Sequence, residues 1–229
     1  MTVAAAAAKH SALLNYPKQA TFGRILPKNK IYEHSGANTR LKDLFVEQVD
    51  QIVWQYKLAP ETINLPAKPG VPEVQIFRVV LKKMELSVDV LKCIDGAVQF
   101  PIIFELEHDN KTKVIAANKC PSQADASKWV ISDYFSTAWM PSESERVDMP
   151  VALDLGGLYE ALLQRLIPLA PRAHERLIAL VERLERVKAK QREIEKVRAK
   201  LAKEKQFNRK VEINATLRQL SNELKELSH

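Results

Sequence analysis

The sequence predicts an α+β body with a mostly antiparallel sheet and flanking helices, followed by a C-terminal helical hairpin or coiled coil. Three observations carry this. Apolar periodicity over the first 140 residues runs in the order helix, strand, helix, strand, strand, strand. The last 58 residues, Arg172 to His229, contain no Gly and no Pro and are rich in Ala, Leu, Glu, Lys and Arg, the composition of long helices. That segment also holds the whole formal net charge of +7, with 16 Lys and Arg against 9 Asp and Glu, whereas the preceding 171 residues carry 19 of each.

In chain order, Val3 to Leu14 reads as a short helix ended by Asn15-Tyr16-Pro17. Phe22 to Glu33 mixes turn and strand residues and reads as an extended, partly docked stretch. Leu41, Leu44, Phe45, Val49, Ile52, Val53 and Tyr56 recur at helical spacing and predict one long helix, with Asn38 or Thr39 as N-cap and Pro60 beyond its end. Glu73 to Lys83, β-branched and aromatic, predicts a strand. Ser87 caps a helix from Val88 to Asp95, which Gly96 is expected to end in the left-handed conformation. Pro101 to Glu107 and Lys113 to Ala117 flank His108-Asp109-Asn110-Lys111, the turn chemistry of a hairpin. Lys128 to Met140 supplies a further strand, Pro141 to Arg146 reads as a linker, and Asp154 caps a helix from Leu155 to Ile167.

Pro168 and Pro171 mark a hinge. Beyond it Leu177, Leu180, Leu184, Val187, Ile194 and Leu201 keep a spacing of three and four, with Gln191 and Arg198 at two core positions of the heptad; Ile213, Leu217, Leu220, Leu224 and Leu227 resume it. Lys203 to Lys210 breaks the register, so two helices are expected, folding back on each other or pairing with another chain. The domain expectation is a body at 1–140, a linker and short helix at 141–171 and a basic helical segment at 172–229.

The chemistry is sparse. Six Gly leave no phosphate-cradling loop, and the five His and two Cys have no metal-ligand spacing, so neither a cofactor nor a metal site is expected. The distant Cys93 and Cys120, the absence of a basic leader before Ala4 to Ala8 and the lack of a long apolar run predict a cytoplasmic protein outside the membrane. The sharpest catalytic candidates are Glu105 and Glu107, two carboxylates on one strand face that a metal-dependent nuclease would need, beside His108 and Asp109; no Lys follows two residues later. An edge hairpin studded with charge against aggregation explains the same residues. For phosphate contact the candidates in the body are Lys28, Lys30 and Lys57, with Lys82 and Lys83, and Tyr32, Trp54 and Tyr56 nearby for stacking. In the tail they are Arg192, Lys196, Lys200, Lys203, Lys205, Arg209 and Lys210, within a run that also includes Arg183, Arg186, Lys190 and Arg198. Interleaved Glu182, Glu185, Glu193, Glu195 and Glu204 allow the plainer reading of a solvated helix face laced with ion pairs.

Leu26-Pro27-Lys28-Asn29-Lys30-Ile31-Tyr32-Glu33, then Ile52 to Leu65 with its tryptophan-to-proline stretch, Pro101 to Leu106, and Lys205-Gln206-Phe207-Asn208-Arg209-Lys210-Val211-Glu212 together resemble an uncharacterised bacterial domain-of-unknown-function family, number 4391. The resemblance covers most of the chain. Members are often encoded beside helicases and DNA methyltransferases of restriction or phage-defence type. By association this implies a non-catalytic accessory subunit that binds DNA, a helicase or methyltransferase subunit, or both; no catalytic residues are carried over. The alternatives are the nuclease built on Glu105 and Glu107, and a homo-oligomer assembled through the C-terminal helices.

Overall fold

The computed structural model describes residues 12–122 and 129–228. The chain divides into two compact units, one within residues 10–166 and one within 167–229.

The first unit is built on one mixed sheet. Its strands are β1 (Leu14–Asn15), β2 (Thr21–Ile25), β3 (Val49–Leu58), β4 (Val74–Leu81), β5 (Ile102–His108), β6 (Lys111–Pro121), β7 (Trp129–Ser136), β8 (Met140–Pro141) and β9 (Val147–Asp148). The main sheet has the order β2-β3-β4-β5-β6-β7, with β8 beside β6, while β1 and β9 form a separate parallel pair. Among the described residues the β4–β5 pairing is the only parallel one in the main sheet, because a helix separates those two strands. The helices are α1 (Lys28–Ser35), α2 (Thr39–Gln48), α3 (Pro60–Ile63), α4 (Val88–Ala97) and α5 (Leu155–Gln164). One apolar cluster joins Ile31 of α1, Phe45 of α2 and Val90, Leu91 and Ile94 of α4 to Phe77, Val79, Phe104 and Leu106 of the sheet. On β6, the buried Tyr159 of α5 donates its hydroxyl to the Ala117 carbonyl at 2.6 Å.

The long helix expected through Tyr56 stops at Gln48, and Val49 onward is strand. Two β-bulges, between Val49 and Gln51 and between Trp54 and Tyr56, explain why the sequence looks helical there. Each inserts a residue, so Val49, Ile52 and Trp54, opposite Leu81, Val79 and Phe77, share one face at spacings of three and two. Bulged strand and preceding helix together imitate a 3.6-residue period. The second bulge also puts Tyr56 on the other face from Trp54, against the Tyr16 ring at 4.7 Å.

Other elements follow the expectation or depart from it for local reasons. Asn38 Oδ1 caps α2 by accepting from the Leu41 amide at 2.9 Å, Ser87 caps α4, and Asp154 caps α5. Residues 3–11 of the expected N-terminal helix lie outside the described residues, and Leu14 is strand. Of the stretch read as extended, Thr21–Ile25 is β2, but Lys28 onward is helix, because Pro27 sets the backbone for a first helical turn. Gly96 does not end α4: it lies inside the helix, which closes at Val98 in extended conformation. The freed carbonyls at that end go to Lys119 of β6, 1% exposed, whose ammonium donates to the Asp95 and Val98 carbonyls. Asp95 Oδ1 lies 3.7 Å from the same ammonium, and Oδ2 accepts from the Tyr134 hydroxyl.

The β5–β6 hairpin turns through Asp109 and Asn110 at φ 45° and 58°, the paired left-handed geometry of a type I′ turn. Asn110→Val is expected to lower stability by about 1–2 kcal/mol in a urea titration, whereas Asn110→Gly leaves it unchanged or raises it, since only the β-branched side chain is strained there.

In the second unit α6 (Leu177–Lys203) and α7 (Phe207–Ser228) form a hairpin, joined at Glu204-Lys205-Gln206. Leu177, Leu180, Leu184, Val187 and Ile194 of α6 and Leu220 of α7 are buried along the seam. Lys190 bridges to Glu223 at 2.8 Å across the helices. Arg183, counted above with the solvated basic run, is 0% exposed. Its guanidinium holds Glu175 through two hydrogen bonds of 2.7 and 2.8 Å and donates to the carbonyls of Ala170 and Leu227 at 2.6 and 2.8 Å, tying the end of α7 to the start of α6.

Candidate nucleic-acid interface

The carboxylates of β5 are held by arginines. Glu105, 4% exposed, receives Arg146 in a two-pronged contact at 2.9 and 3.1 Å, and Arg146 also donates to the Leu14 carbonyl at 2.9 Å. The stretch read as a linker therefore ends in a residue anchored to the sheet. Burial, then the nearby Glu105 charge, pushes the Tyr16 hydroxyl well up from its ordinary range. Glu107 pairs with Arg78 at 3.3 Å. His108 sits 3.1 Å from the Leu81 carbonyl and 3.3 Å from Asp109. With guanidinium partners on both glutamates, the strand face is an ion-pair network rather than an open cation cradle. Among the described residues no group of three or more His, Cys, Asp or Glu is placed to hold a metal ion.

The candidate body lysines are likewise engaged. Lys28 donates to the Val49 carbonyl at 2.5 Å and lies 3.4 Å from that of Phe45, while Lys82 donates to Val46 at 2.8 Å. Both serve the C-terminal end of α2, where a cation suits the carbonyls and the helix dipole. Burial, helped by Lys82, lowers the Lys28 pKa from its ordinary value. Lys30 pairs with Glu33, Lys57 with Glu61 and Glu73, and Lys83 with Glu47. The aromatics expected to stack on bases instead stack on protein: Trp54 with Phe22 at 4.0 Å, Tyr32 edge-on to Phe45 at 5.2 Å, and Tyr56 with Tyr16.

The tail differs along its length. Near the base of the hairpin Lys188 pairs with Glu185, and Lys190 with Glu193 and Glu223, as expected of an ion-paired helix face. Toward the tip that pairing stops. Residues 196–212 hold seven basic and two acidic residues, a net of +5. Among the described residues Lys196, Lys200, Lys203, Lys205, Arg209 and Lys210 have no carboxylate within ion-pair distance, and Arg192 makes only a 3.3 Å contact to the Lys188 carbonyl. Glu204 is turned inward to the chain: it accepts from the Gln206 and Lys205 amides, which with Arg209 and Lys210 hold its carboxyl below the ordinary range. Arg198 and Arg218 line a groove of about 380 Å³ between the helices, with Asn214, Ser221 and Asn222. Two unpaired guanidiniums and several amide and hydroxyl groups suit phosphate oxygens.

The structure thus separates two sets that the sequence pooled. Lys28, Lys30 and Lys57 are committed within the body, while Lys196, Lys200, Lys203, Lys205, Arg209 and Lys210 lie at or near the α6–α7 junction of the helical unit. Phe207, 78% exposed at the first position of α7, was not singled out by periodicity because it occupies no heptad position. The signal available was an aromatic inside a basic, register-breaking segment.

A family model described as a domain of unknown function, DUF4391, matches residues 14–224. No curated protein and no solved structure matches the chain. Among the described residues no helix is long and apolar enough to cross a membrane.

Proposed function

The chain belongs to the DUF4391 family, and from that premise we propose that it is a non-catalytic accessory subunit of a bacterial restriction or phage-defence system that engages DNA through the tip of its C-terminal hairpin. The observation that carries this reading is the contrast in pairing: the candidate body lysines Lys28, Lys30, Lys57, Lys82 and Lys83 are held by carboxylates or helix carbonyls, whereas the basic side chains of the tip have no carboxylate partner among the described residues and share one end of the helical unit. Unpaired Lys and Arg side chains can replace the cations condensed on the phosphates, and the release of those ions drives much of nucleic-acid binding. The nuclease reading is not favoured, since Glu105 and Glu107 would have to give up Arg146 and Arg78 before taking a cation. A helicase or methyltransferase partner rests on the family resemblance.

Fluorescence anisotropy of the full-length protein with labelled DNA tests it. With about five phosphate contacts, affinity is expected to fall roughly 500-fold between 50 and 200 mM salt. The charge reversal of Lys203, Lys205, Arg209 and Lys210 to Glu should abolish binding at both, and Lys83→Glu should leave it unchanged. Absence of binding by the wild type at 50 mM salt would sink the reading.

A further inference from the structure

Phe207 is 78% exposed and Val211, one helical turn on, is 53% exposed, although the leucines and Ile213 of α7 are buried or partly buried. Among the described residues this large aromatic at the start of α7 has no ring or cation–π partner. Its neighbours in sequence are Lys203, Lys205, Arg209 and Lys210, so whatever covers the ring must be strongly anionic. Two classes of polyanion offer apolar surface beside their charge: lipid bilayers and unpaired nucleic-acid bases. A bilayer-binding helix needs a broad apolar face along its length, and α7 has already committed Leu220, with the partly buried Ile213, Leu217 and Leu224, to α6. A single exposed ring among cations is instead the pattern of a stacking platform in a phosphate-attracting surface.

We infer that the tip accepts single-stranded or unpaired nucleic acid, with a base stacked on the Phe207 ring and the flanking phosphates held by Lys203, Lys205, Arg209 and Lys210. This rests on the nucleic-acid reading above and narrows it. Intact duplex buries its base faces, so it would gain only the phosphate contacts and bind more weakly. Val211 widens the apolar platform along the same face, four residues from Phe207.

The test measures full-length wild type, Phe207→Ala, Phe207→Trp and the Lys205→Glu/Arg209→Glu pair against a 20-nucleotide single strand of dT, the matching duplex and anionic phosphatidylserine vesicles at low salt. The wild type is expected to prefer the single strand. Phe207→Ala should weaken single-strand binding by about 5- to 150-fold, the loss of one base stack, and change duplex binding little. Phe207→Trp should restore the affinity and add tryptophan fluorescence that the strand quenches. The charge-reversed pair should weaken both DNA forms. Equal wild-type affinity for strand and duplex, unaffected by Phe207→Ala, overturns the stacking inference while leaving DNA binding intact. Loss of vesicle binding in Phe207→Ala without any binding to either DNA assigns the ring to lipid and overturns both. No wild-type binding to any of the three overturns the nucleic-acid reading itself. Circular dichroism of each variant checks that α7 remains folded, as expected for the loss of a ring that is 78% exposed.

Discussion

Replacing Lys119 by Met is expected to destabilise the body by about 3–5 kcal/mol, enough to remove most of the margin of an ordinary domain. The side chains are similar in length, so packing volume changes little. What is lost is the cation at the C-terminal end of α4: the Asp95 and Val98 carbonyls would lose this donor, and the buried Asp95 carboxylate would lose its ion-pair partner while keeping the Tyr134 hydroxyl. Thermal melting followed by tryptophan fluorescence reads this directly, because the Lys119 ammonium lies 5.7 Å from the Trp129 ring and all three tryptophans precede the tail. An unchanged midpoint would show that Lys119 is not an internal cap. The cost should depend on pH. Burial, opposed by the Tyr134 hydrogen bond and by Lys119, raises the Asp95 pKa from 3.8 to about 6. A carboxyl whose folded pKa is raised contributes stability that is complete below its unfolded value and is lost as pH rises through the folded one. The wild-type body should therefore lose stability between about pH 4 and pH 6 on this account, and the Lys119→Met variant should be least impaired near pH 4, where Asp95 is protonated. Asp95→Asn in the Lys119→Met background should recover part of the loss at pH 7.

Arg183→Met is expected to open the base of the tail hairpin at a similar cost, about 3–5 kcal/mol, since it leaves Glu175 without its guanidinium and frees the Ala170 and Leu227 carbonyls. Ellipticity at 222 nm should show an earlier loss of helix while the tryptophan fluorescence midpoint stays in place, as the tail has no tryptophan. Coincident, unshifted transitions would contradict the clamp. Here the pH trend has the opposite sign. The Arg183 hydrogen bonds, with the Arg172 amide, pull the Glu175 carboxyl from 4.5 down to about 2. A lowered carboxyl contributes stability that is present above its unfolded pKa and lost as pH falls through the folded one. The tail should therefore weaken on acidification from about pH 4.5 to pH 2, a dependence that Arg183→Met flattens.

The tail was the most legible part of the chain. Its Gly- and Pro-free composition, its heptad and the register break between Lys203 and Lys210 are local properties of one helix face, and they locate the two helices and their junction. The β5–β6 hairpin was legible for the same reason, because Asp109 and Asn110 accept left-handed backbone at little cost. β3 was not. Its bulges change which residues face the core, and a bulge is fixed by pairing with β4, some twenty-five residues away, rather than by the residues themselves. The end of α4 was misread because Gly96 is a local signal, and it lost to a long-range one, the Lys119 ammonium arriving from β6.

The candidate site divides in the same way. That the excess charge belongs to the last quarter of the chain, and that this quarter is helical, follows from the sequence, because charge and helical periodicity are counted residue by residue. Which cations are free does not. Arg183 and Arg209 look alike in a basic run, yet one is a buried clamp and the other stands unpaired at the tip. Glu105 and Glu107 look like a catalytic pair until Arg146 and Arg78 arrive from other strands and loops. Pairing and burial depend on which distant segments meet, and the energy of a charge is set by those partners far more than by its neighbours in sequence.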